Sequence, residues 1–330
     1  MRAAVIGIGS NSVRSLLADV SGADFRRLWR DREGTRLFAG LDANGNLNRD
    51  SMDKTVSAVR RMASEVMQKG AEKLAIFATS AARDAANGQA FMAAVERETG
   101  QPLRIISGEE EAELSFLGAS AAAAVNRCGM IDIGGGSTEI AIGTPAGIEC
   151  AFSCQMGAVR LYRRLRIERK EDMKPVEVAA AEILNDHLKD SPELELPEAW
   201  VGTGGTFTTL AAMVLGQPWT DRTHVHGTTI TSREIRTIGE TLAGMKVEDR
   251  IHLQGLQPSR ADIVVHGICI LLGVMERLGM DRIIVSEWGN LDGYFRKYFC
   301  DNSIQNSEFR IQNSELKRAC KHSENGEVYA

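Results

Sequence analysis

A strand, a glycine turn and a second strand occur twice in this sequence, and this repetition is the feature that most constrains the fold. Residues 3–20 contain two apolar runs on either side of a Gly-Ser-Asn turn, and residues 128–143 have the same order. Residues 6–9 (IGIG) match residues 131–134 (IDIG) at a constant offset of 125 residues. The repeat predicts an internal duplication, in which each half opens with a hairpin and both turns face a shared cleft.

The rest of the chain alternates strand-like runs with helical patterns, which is typical of an α/β protein. Further strands are predicted at residues 34–41, 73–79, 103–106, 199–202 and 281–286. Helices are predicted at residues 50–70, 80–86, 88–99, 108–124, 157–166, 176–189, 204–216, 259–279 and 290–299. Residues 301–330 contain IQNSE twice and lack apolar periodicity, so they are predicted to be disordered or a loosely attached helix.

Composition and charge exclude several classes of protein. Hydrophobic residues make up 43% of the 330 and charged residues 25%, which excludes a disordered chain, a coiled coil and a collagen. There is no apolar run long enough for a membrane span. The first residues have only a short apolar run and no cleavage-type signal, so no secretory signal is expected. Six scattered cysteines favour a reducing cytoplasm, and the net charge of −5 argues against a DNA partner.

Two local runs are strongly basic despite this net charge. Residues 160–170 hold six Lys or Arg, including Arg163 and Arg164, and residues 26–36 hold five Arg. Each run could be a solvated face or could bind an anionic ligand.

Three glycine-rich turns follow predicted strands, at residues 9–12, 134–138 and 202–206. Glycine lets backbone N–H groups approach an anion without a Cβ in the way, and the third turn also opens a helix, whose N-terminus favours phosphate. The turns therefore predict phosphate binding. The chain has no GxxxxGKS/T motif, which excludes a Walker-type NTPase. Ser12 and Phe207 stand where a GxGxxG motif needs its third glycine, so a dinucleotide dehydrogenase is a poor fit.

Two carboxylates bracket the second turn. Asp132 lies at the end of the incoming strand and Glu139 at the start of the returning one. Magnesium takes one or two carboxylates together with water and phosphate oxygens, so the pair is a candidate magnesium site. The alternative is a pair of surface carboxylates flanking a hairpin.

A third carboxylate, Glu111, has no structural role in the sequence pattern. Ser107 and Glu110 are spaced as a capping box, and Glu109 suits the positive end of the helix dipole. Glu111 instead shares a helical face with three small residues, Ser115, Gly118 and Ala122. A carboxylate with room to approach a cleft is a candidate general base.

Arg83 and Asn87 follow a predicted buried strand, where they could bind phosphate or pair on the surface. His224 and His226 are spaced for one face of a strand, and ordinary loop histidines are the simpler interpretation than a metal site.

The motifs together resemble the exopolyphosphatase and guanosine-pentaphosphate phosphatase (Ppx/GppA) family. The matching segments, spread over about residues 1–300, are residues 9–14 (GSNSVR), 78–87 (ATSAARDAAN), 106–119 (ISGEEEAELSFLGA), 132–139 (DIGGGSTE), 202–212 (GTGGTFTTLAA) and 259–293. The resemblance implies the actin-like fold of sugar kinases and heat-shock chaperone ATPases, with two ribonuclease-H-like domains around a cleft. The domains are expected at 1–124 and 125–300, followed by a tail at 301–330, and the length is similar to that of two-domain family members.

The resemblance also implies roles for individual residues. Glu111 becomes the base that activates water, and Asp132 and Glu139 become the magnesium-side carboxylates. The phosphate cradle is expected to comprise Ser10, Asn11, Ser12, Arg83, Gly134, Gly135, Gly136, Ser137, Gly204, Gly205 and Thr206. Arg163 and Arg164 are expected to hold the chain of a polyphosphate. The implied activity is magnesium-dependent release of the terminal phosphate from inorganic polyphosphate, and the resemblance is compatible with a homodimer.

One position departs from the family pattern. Relatives typically have Asp in the first turn motif, where this chain has Gly7, and Gly7 also matches Asp132 in the internal duplication. The departure leaves a binding or regulatory pseudoenzyme as an alternative. Guanosine pentaphosphate as substrate and a sugar or acetate kinase on the same fold also stay open.

Overall fold

The computed structural model describes residues 1–144, 146–189, 195–220 and 224–300. The predicted tail, residues 301–330, lies outside the described residues. Within the described part of the chain, two β-sheets are present, and each is opened by one of the two duplicated hairpins.

The two sheets share a strand order. The first contains β1 (Arg2–Ile8), β2 (Val13–Ser21), β3 (Asp24–Glu33), β4 (Lys73–Ala78) and β5 (Leu103–Ile105), in the spatial order β3-β2-β1-β4-β5. The second contains β6 (Cys128–Ile133), β7 (Thr138–Thr144), β8 (Gly147–Cys154), β9 (Trp200–Thr203), β10 (Thr229–Thr231) and β11 (Arg282–Val285), in the order β10-β11-β9-β6-β7-β8. In each sheet an antiparallel meander is extended by two parallel strands on the side of its first strand. In the second sheet, β10 then adds antiparallel to β11.

Helices connect the strands. They are α1 (Arg49–Gln68), α2 (Ser80–Arg83), α3 (Gly88–Thr99), α4 (Gly108–Ala119), α5 (Ala158–Arg164), α6 (Met173–Leu188), α7 (Gly205–Val214), α8 (Ser232–Ala243), α9 (Val247–Arg250), α10 (Val264–Leu278) and α11 (Asn290–Tyr294). A π-helical turn, Phe295–Phe299, follows α11. Of the helices in the described ranges, none combines the length and the apolar character that a bilayer crossing needs.

The internal duplication is confirmed at the level of single hydrogen bonds. Gly7 pairs with Arg14 between β1 and β2, and Asp132 pairs with Glu139 between β6 and β7, at the predicted offset. In both hairpins the first glycine of the turn donates its backbone N–H to the serine carbonyl three residues later, over 3.0 Å. The two hairpins are therefore the same structure used twice.

The prediction of a strand at residues 34–41 is wrong. The strand comes earlier, as β3, and Leu37–Gly40 forms a 3₁₀ turn. Strand β3 lies at the edge of its sheet and carries four arginines, so it lacks the apolar alternation by which strands are recognised. The sequence pattern also gives no prediction for strands β8 and β10 or for helix α8.

Helices α4 and α11 cross at a contact that only glycine allows. Helix α4 packs on the second sheet, while α11 packs on α4 and on strands of the first sheet. A Cβ on Gly118 would lie 2.0 Å from the carbonyl oxygen of Gly289, and one on Gly293 would lie 1.8 Å from that of Leu114. Because both obstacles are backbone atoms, no side-chain movement could relieve them. The crossing therefore sets the distance between α4, which packs on the second sheet, and α11, which packs on the first.

Candidate active site

The three glycine turns line one cleft of about 570 Å³, whose walls come from both sheets. The predicted site residues that line it are Ser10, Asn11, Ser12, Glu111, Asp132, Gly134, Gly135, Ser137, Glu139, Gly204 and Gly205. The predicted residues outside its lining are Arg83, Gly136, Arg163, Arg164 and Thr206. The structure thus brings together most of the predicted phosphate cradle and all three predicted carboxylates.

The first turn is held by hydrogen bonds from other segments. The backbone N–H of Phe38 donates to the Ser10 carbonyl over 2.9 Å, and the Ser10 and Ser80 hydroxyls are 2.8 Å apart. The side-chain oxygen of Asn11 is buried and has no hydrogen-bond partner among the described residues. A buried polar atom without a partner is costly unless a ligand satisfies it, so this atom indicates a binding site.

The third turn, at residues 202–206, packs closely against Asp132, which lies just before the second turn. Gly204 has a φ of +90°, and a Cβ on it would lie 2.5 Å from Oδ1 of Asp132. Glycine is therefore required here both by backbone conformation and by space. Helix α7 begins at the next residue, Gly205, which also lines the cleft. The positive end of the α7 dipole therefore lies beside the Asp132 carboxylate.

Glu111 lies in the first turn of α4, and its side chain is buried in the cleft wall. Arg83 Nη1 is 3.4 Å from Glu111 Oε2. Burial raises the pKa of Glu111 to about 7; the Arg83 charge opposes this rise, and the nearby Asp132 charge adds to it. A carboxylate whose pKa lies near neutrality can take a proton from water at neutral pH.

The predicted capping box of α4 is only half present. The Ser107 hydroxyl accepts from the backbone N–H of Glu110 over 3.1 Å, as predicted. The Glu110 carboxylate, however, is bound by Arg104 over 2.6 Å and by the Tyr298 hydroxyl over 2.6 Å. Glu110 therefore ties α4 to the π-helical turn at Phe295–Phe299 and lies outside the lining of the cleft.

Asp132 and Glu139 are each oriented by a serine. Ser115, on α4, donates to Asp132 Oδ2 over 2.8 Å, and Ser153, on β8, donates to Glu139 Oε1 over 2.8 Å. Burial, and then the Glu111 and Asp132 carboxylates, raise the pKa of Glu139 well above its usual range. The three carboxylates therefore repel one another, which is the electrostatic condition that a bound cation would relieve.

Gly7 does not leave an open carboxylate position. It is buried with an ordinary backbone conformation, and a Cβ there would lie 2.9 Å from Leu291 Cδ2 and 3.1 Å from Phe77 Cζ. Leu291, which lines the cleft, therefore fills the space beside Gly7. An Asp at this position would need Leu291 to move.

Three predicted residues make contacts outside the cleft lining. The Arg83 guanidinium donates to the Ile106 carbonyl over 2.9 Å, which places it behind Glu111. Asn87 bonds the backbone of Leu47 through both its amide oxygen and its amide nitrogen. Arg163 donates to the carbonyls of residues 38 and 41, over 3.4 and 2.7 Å, which joins α5 to the first half of the chain.

Several cleft residues were missed or undervalued at the sequence level. They are Arg14, Arg27, Arg30, Arg32, Thr208, Trp219 and Arg260. Arg14 could have been found by extending the duplication, because it lies 125 residues before Glu139 and occupies the same register position. The β3 arginines belong to the basic run at residues 26–36, which the sequence alone did not separate from a solvated face.

Comparisons with known proteins show what the sequence and the fold of this chain resemble. The Ppx/GppA phosphatase family matches residues 16–298. Exopolyphosphatase 2 of Mycobacterium tuberculosis is 34% identical over 316 residues, covering 88% of this chain and 97% of that protein. The Aquifex aeolicus PPX-GPPA enzyme structure is 27% identical, with a TM-score of 0.75 over 90% of this chain and 99% of that one. An exopolyphosphatase from Cytophaga hutchinsonii, 23% identical, has the same fold, with a TM-score of 0.80 over 93% of this chain and 98% of that one. The predicted actin-like α/β architecture is confirmed.

Proposed function

We propose that this chain, which belongs to the Ppx/GppA phosphatase family and is a hydrolase of acid anhydrides, releases the terminal phosphate of inorganic polyphosphate. The observation that carries the proposal is the position of Glu111. This buried carboxylate, with a pKa of about 7, lines the same cleft as three turns suited to phosphate. Phosphoanhydride hydrolysis needs mainly a positioned water and a neutralised phosphoryl group, and this cleft offers groups for both.

In this reaction the backbone N–H groups and hydroxyls of the glycine turns hold the terminal phosphate. Glu111 orients the attacking water and accepts its proton on a side-chain oxygen. Arg83 and Thr79 hydrogen-bond to Glu111, and both lower its pKa. They therefore keep part of the Glu111 population ionised at neutral pH.

The residues fit a magnesium ion that arrives with its substrate. Among the described residues, no group of three or more His, Cys, Asp or Glu has the geometry to hold a metal by itself. Magnesium, however, usually takes only one or two protein carboxylates and completes its shell with water and phosphate oxygens. Asp132 and Glu139 would hold the ion, which would supply neutralisation of phosphate charge when bound.

The test is phosphate release from long-chain polyphosphate, guanosine pentaphosphate and ATP, each with magnesium and with EDTA. We expect polyphosphate to be hydrolysed fastest and EDTA to abolish the release. A kinase would instead consume ATP only when a hydroxyl acceptor is added. Binding of polyphosphate without release of phosphate, in every metal condition, would favour the pseudoenzyme alternative.

Guanosine pentaphosphate is the second candidate substrate, because one observation favours it. The Trp219 side chain lines the cleft and is 38% exposed, an arrangement that lets a purine stack on the indole. Trp219→Ala should then raise KM for guanosine pentaphosphate and leave KM for polyphosphate unchanged.

A further inference from the structure

Three arginines of the edge strand β3 line the outer wall of the cleft; we call Arg27, Arg30 and Arg32 the arginine row. The row runs over six residues of strand, which is roughly 16 Å from the first to the last at the ordinary rise per residue. At its inner end, Arg32 Nε donates to the hydroxyl of Ser12 over 3.3 Å. The row therefore starts at the first phosphate turn and leads away from it.

A carboxylate from the second half of the chain bridges two members of the row. Glu287 accepts from Arg27 Nη1 on one oxygen, over 3.1 Å, and from Arg30 Nη1 on the other, over 2.9 Å. Arg27 Nε also donates to Asp292 over 2.7 Å. The Arg30 side chain remains 48% exposed, while Glu287 is only 16% exposed. Solvent, and any dissolved anion, therefore reaches Arg30 directly.

We propose that the arginine row is a subsite for the distal phosphates of a polyphosphate chain, and that these phosphates displace Glu287 from Arg27 and Arg30. The inference rests on the proposed function, since it needs the terminal phosphate to lie among the glycine turns. Phosphate oxygens match the fork of donors on arginine as well as a carboxylate does. A long chain offers several phosphates in succession, whereas a short one ends before it reaches Arg30.

Glu287 then affects the binding of long chains alone, because only a long chain reaches the arginines that Glu287 occupies. A chain that is too short gains nothing from the row, and one that is long enough must outcompete a carboxylate already in place. Removing Glu287 and removing Arg30 should therefore change long-chain affinity in opposite directions. A bridge that merely holds the two cleft walls together predicts the same direction for both.

The test compares Arg30→Gln, Glu287→Gln and the matched control Arg26→Gln in the full chain. Arg26 lies on the same strand, is 79% exposed and pairs with Asp19, outside the cleft lining. Binding of labelled long-chain polyphosphate and of tripolyphosphate is measured at 50 and 200 mM salt, together with KM for each. Long-chain affinity should fall as salt rises from 50 to 200 mM. By analogy with nucleic-acid backbones, this fall should be about threefold smaller in a variant that has lost one phosphate contact.

We expect Arg30→Gln to weaken and Glu287→Gln to tighten long-chain binding, with tripolyphosphate binding unchanged in both. Equal long-chain affinities of Arg30→Gln and Arg26→Gln would overturn the subsite, as would weaker long-chain binding by Glu287→Gln. The variants could show these binding changes although the unaltered protein releases no phosphate. That outcome would support the subsite and refute the proposed function. Failure of the unaltered protein to bind long chains would overturn the subsite.

Discussion

Replacing Glu111 with Gln should both abolish most of the activity and stabilise the fold at alkaline pH. A pKa of about 7 in place of 4.5 means that ionising Glu111 in the folded protein costs about 3 kcal/mol more than in the unfolded chain. The stabilisation from the protonated form is fully present below pH 4.5 and is lost as the pH rises through 7. Gln carries no charge at any pH, so the variant escapes this loss.

The expected signature has two parts. In EDTA, the Tm of Glu111→Gln should be close to that of the unaltered protein at pH 5, because Glu111 is protonated there and Gln is equally uncharged. The difference in Tm between the variant and the unaltered protein should be several degrees more favourable to the variant at pH 8 than at pH 5. Turnover should fall by about 10²–10⁴-fold, the usual contribution of a general base. In the unaltered protein, kcat/KM should decline about tenfold per pH unit well below pH 7, where Glu111 is protonated.

Glu110→Gln is the matched control, one residue away on the same helix. It weakens the contacts with Arg104 and Tyr298, so it should lower the Tm at both pH values and leave turnover nearly intact. Equal losses of turnover in the two variants would refute the assignment of Glu111 as the base. A stability difference between Glu111→Gln and the unaltered protein that is the same at pH 5 and pH 8 would refute the raised pKa.

Three further predictions concern packing and the tail. Gly7→Asp should lower the Tm, because its Cβ would lie 2.9 Å from Leu291 Cδ2 and its carboxylate would be buried; calorimetry that finds the variant as stable as the unaltered protein would show that Leu291 moves freely. Gly118→Ala should lower the free energy of unfolding, measured with denaturant, by about 1–3 kcal/mol, since its Cβ would lie 2.0 Å from the Gly289 carbonyl oxygen. An unchanged free energy of unfolding would mean that helices α4 and α11 can separate. A chain ending at Cys300 should keep the Tm of the full chain, and a clear drop would show that residues 301–330 pack on the fold.

The parts of the fold that could be predicted are those encoded in consecutive residues. The duplicated hairpins, the glycine turns and helix α4 each depend on a local pattern of apolar, small and capping residues. Strand β3 could not be recognised, because two of its arginines, Arg27 and Arg30, pair with Glu287 and Asp292, more than 250 residues away. Local propensity carries no information about such partners.

The candidate site shows the same division between local and distant information. Glu111 could be singled out because its neighbours on the helix are small, and the duplication marked Asp132. That Leu291 fills the space beside Gly7 could not be inferred, because the two residues are distant in sequence. Arg163 belongs to the most basic run of the chain, yet it serves two backbone carbonyls, since charge density does not reveal which acceptors the fold supplies.

The electrostatic surroundings of Glu111 come from both halves of the duplicated fold. Burial is the main cause of its raised pKa. Arg83 and Thr79, which lower its proton affinity, follow strand β4 of the first sheet, whereas Asp132, which raises it, belongs to the second. Drawing Arg83 away would leave the carboxyl protonated and unable to accept another proton, and drawing Asp132 away would leave it a weaker base. The proton affinity of this one side chain therefore depends on groups that both halves of the fold supply.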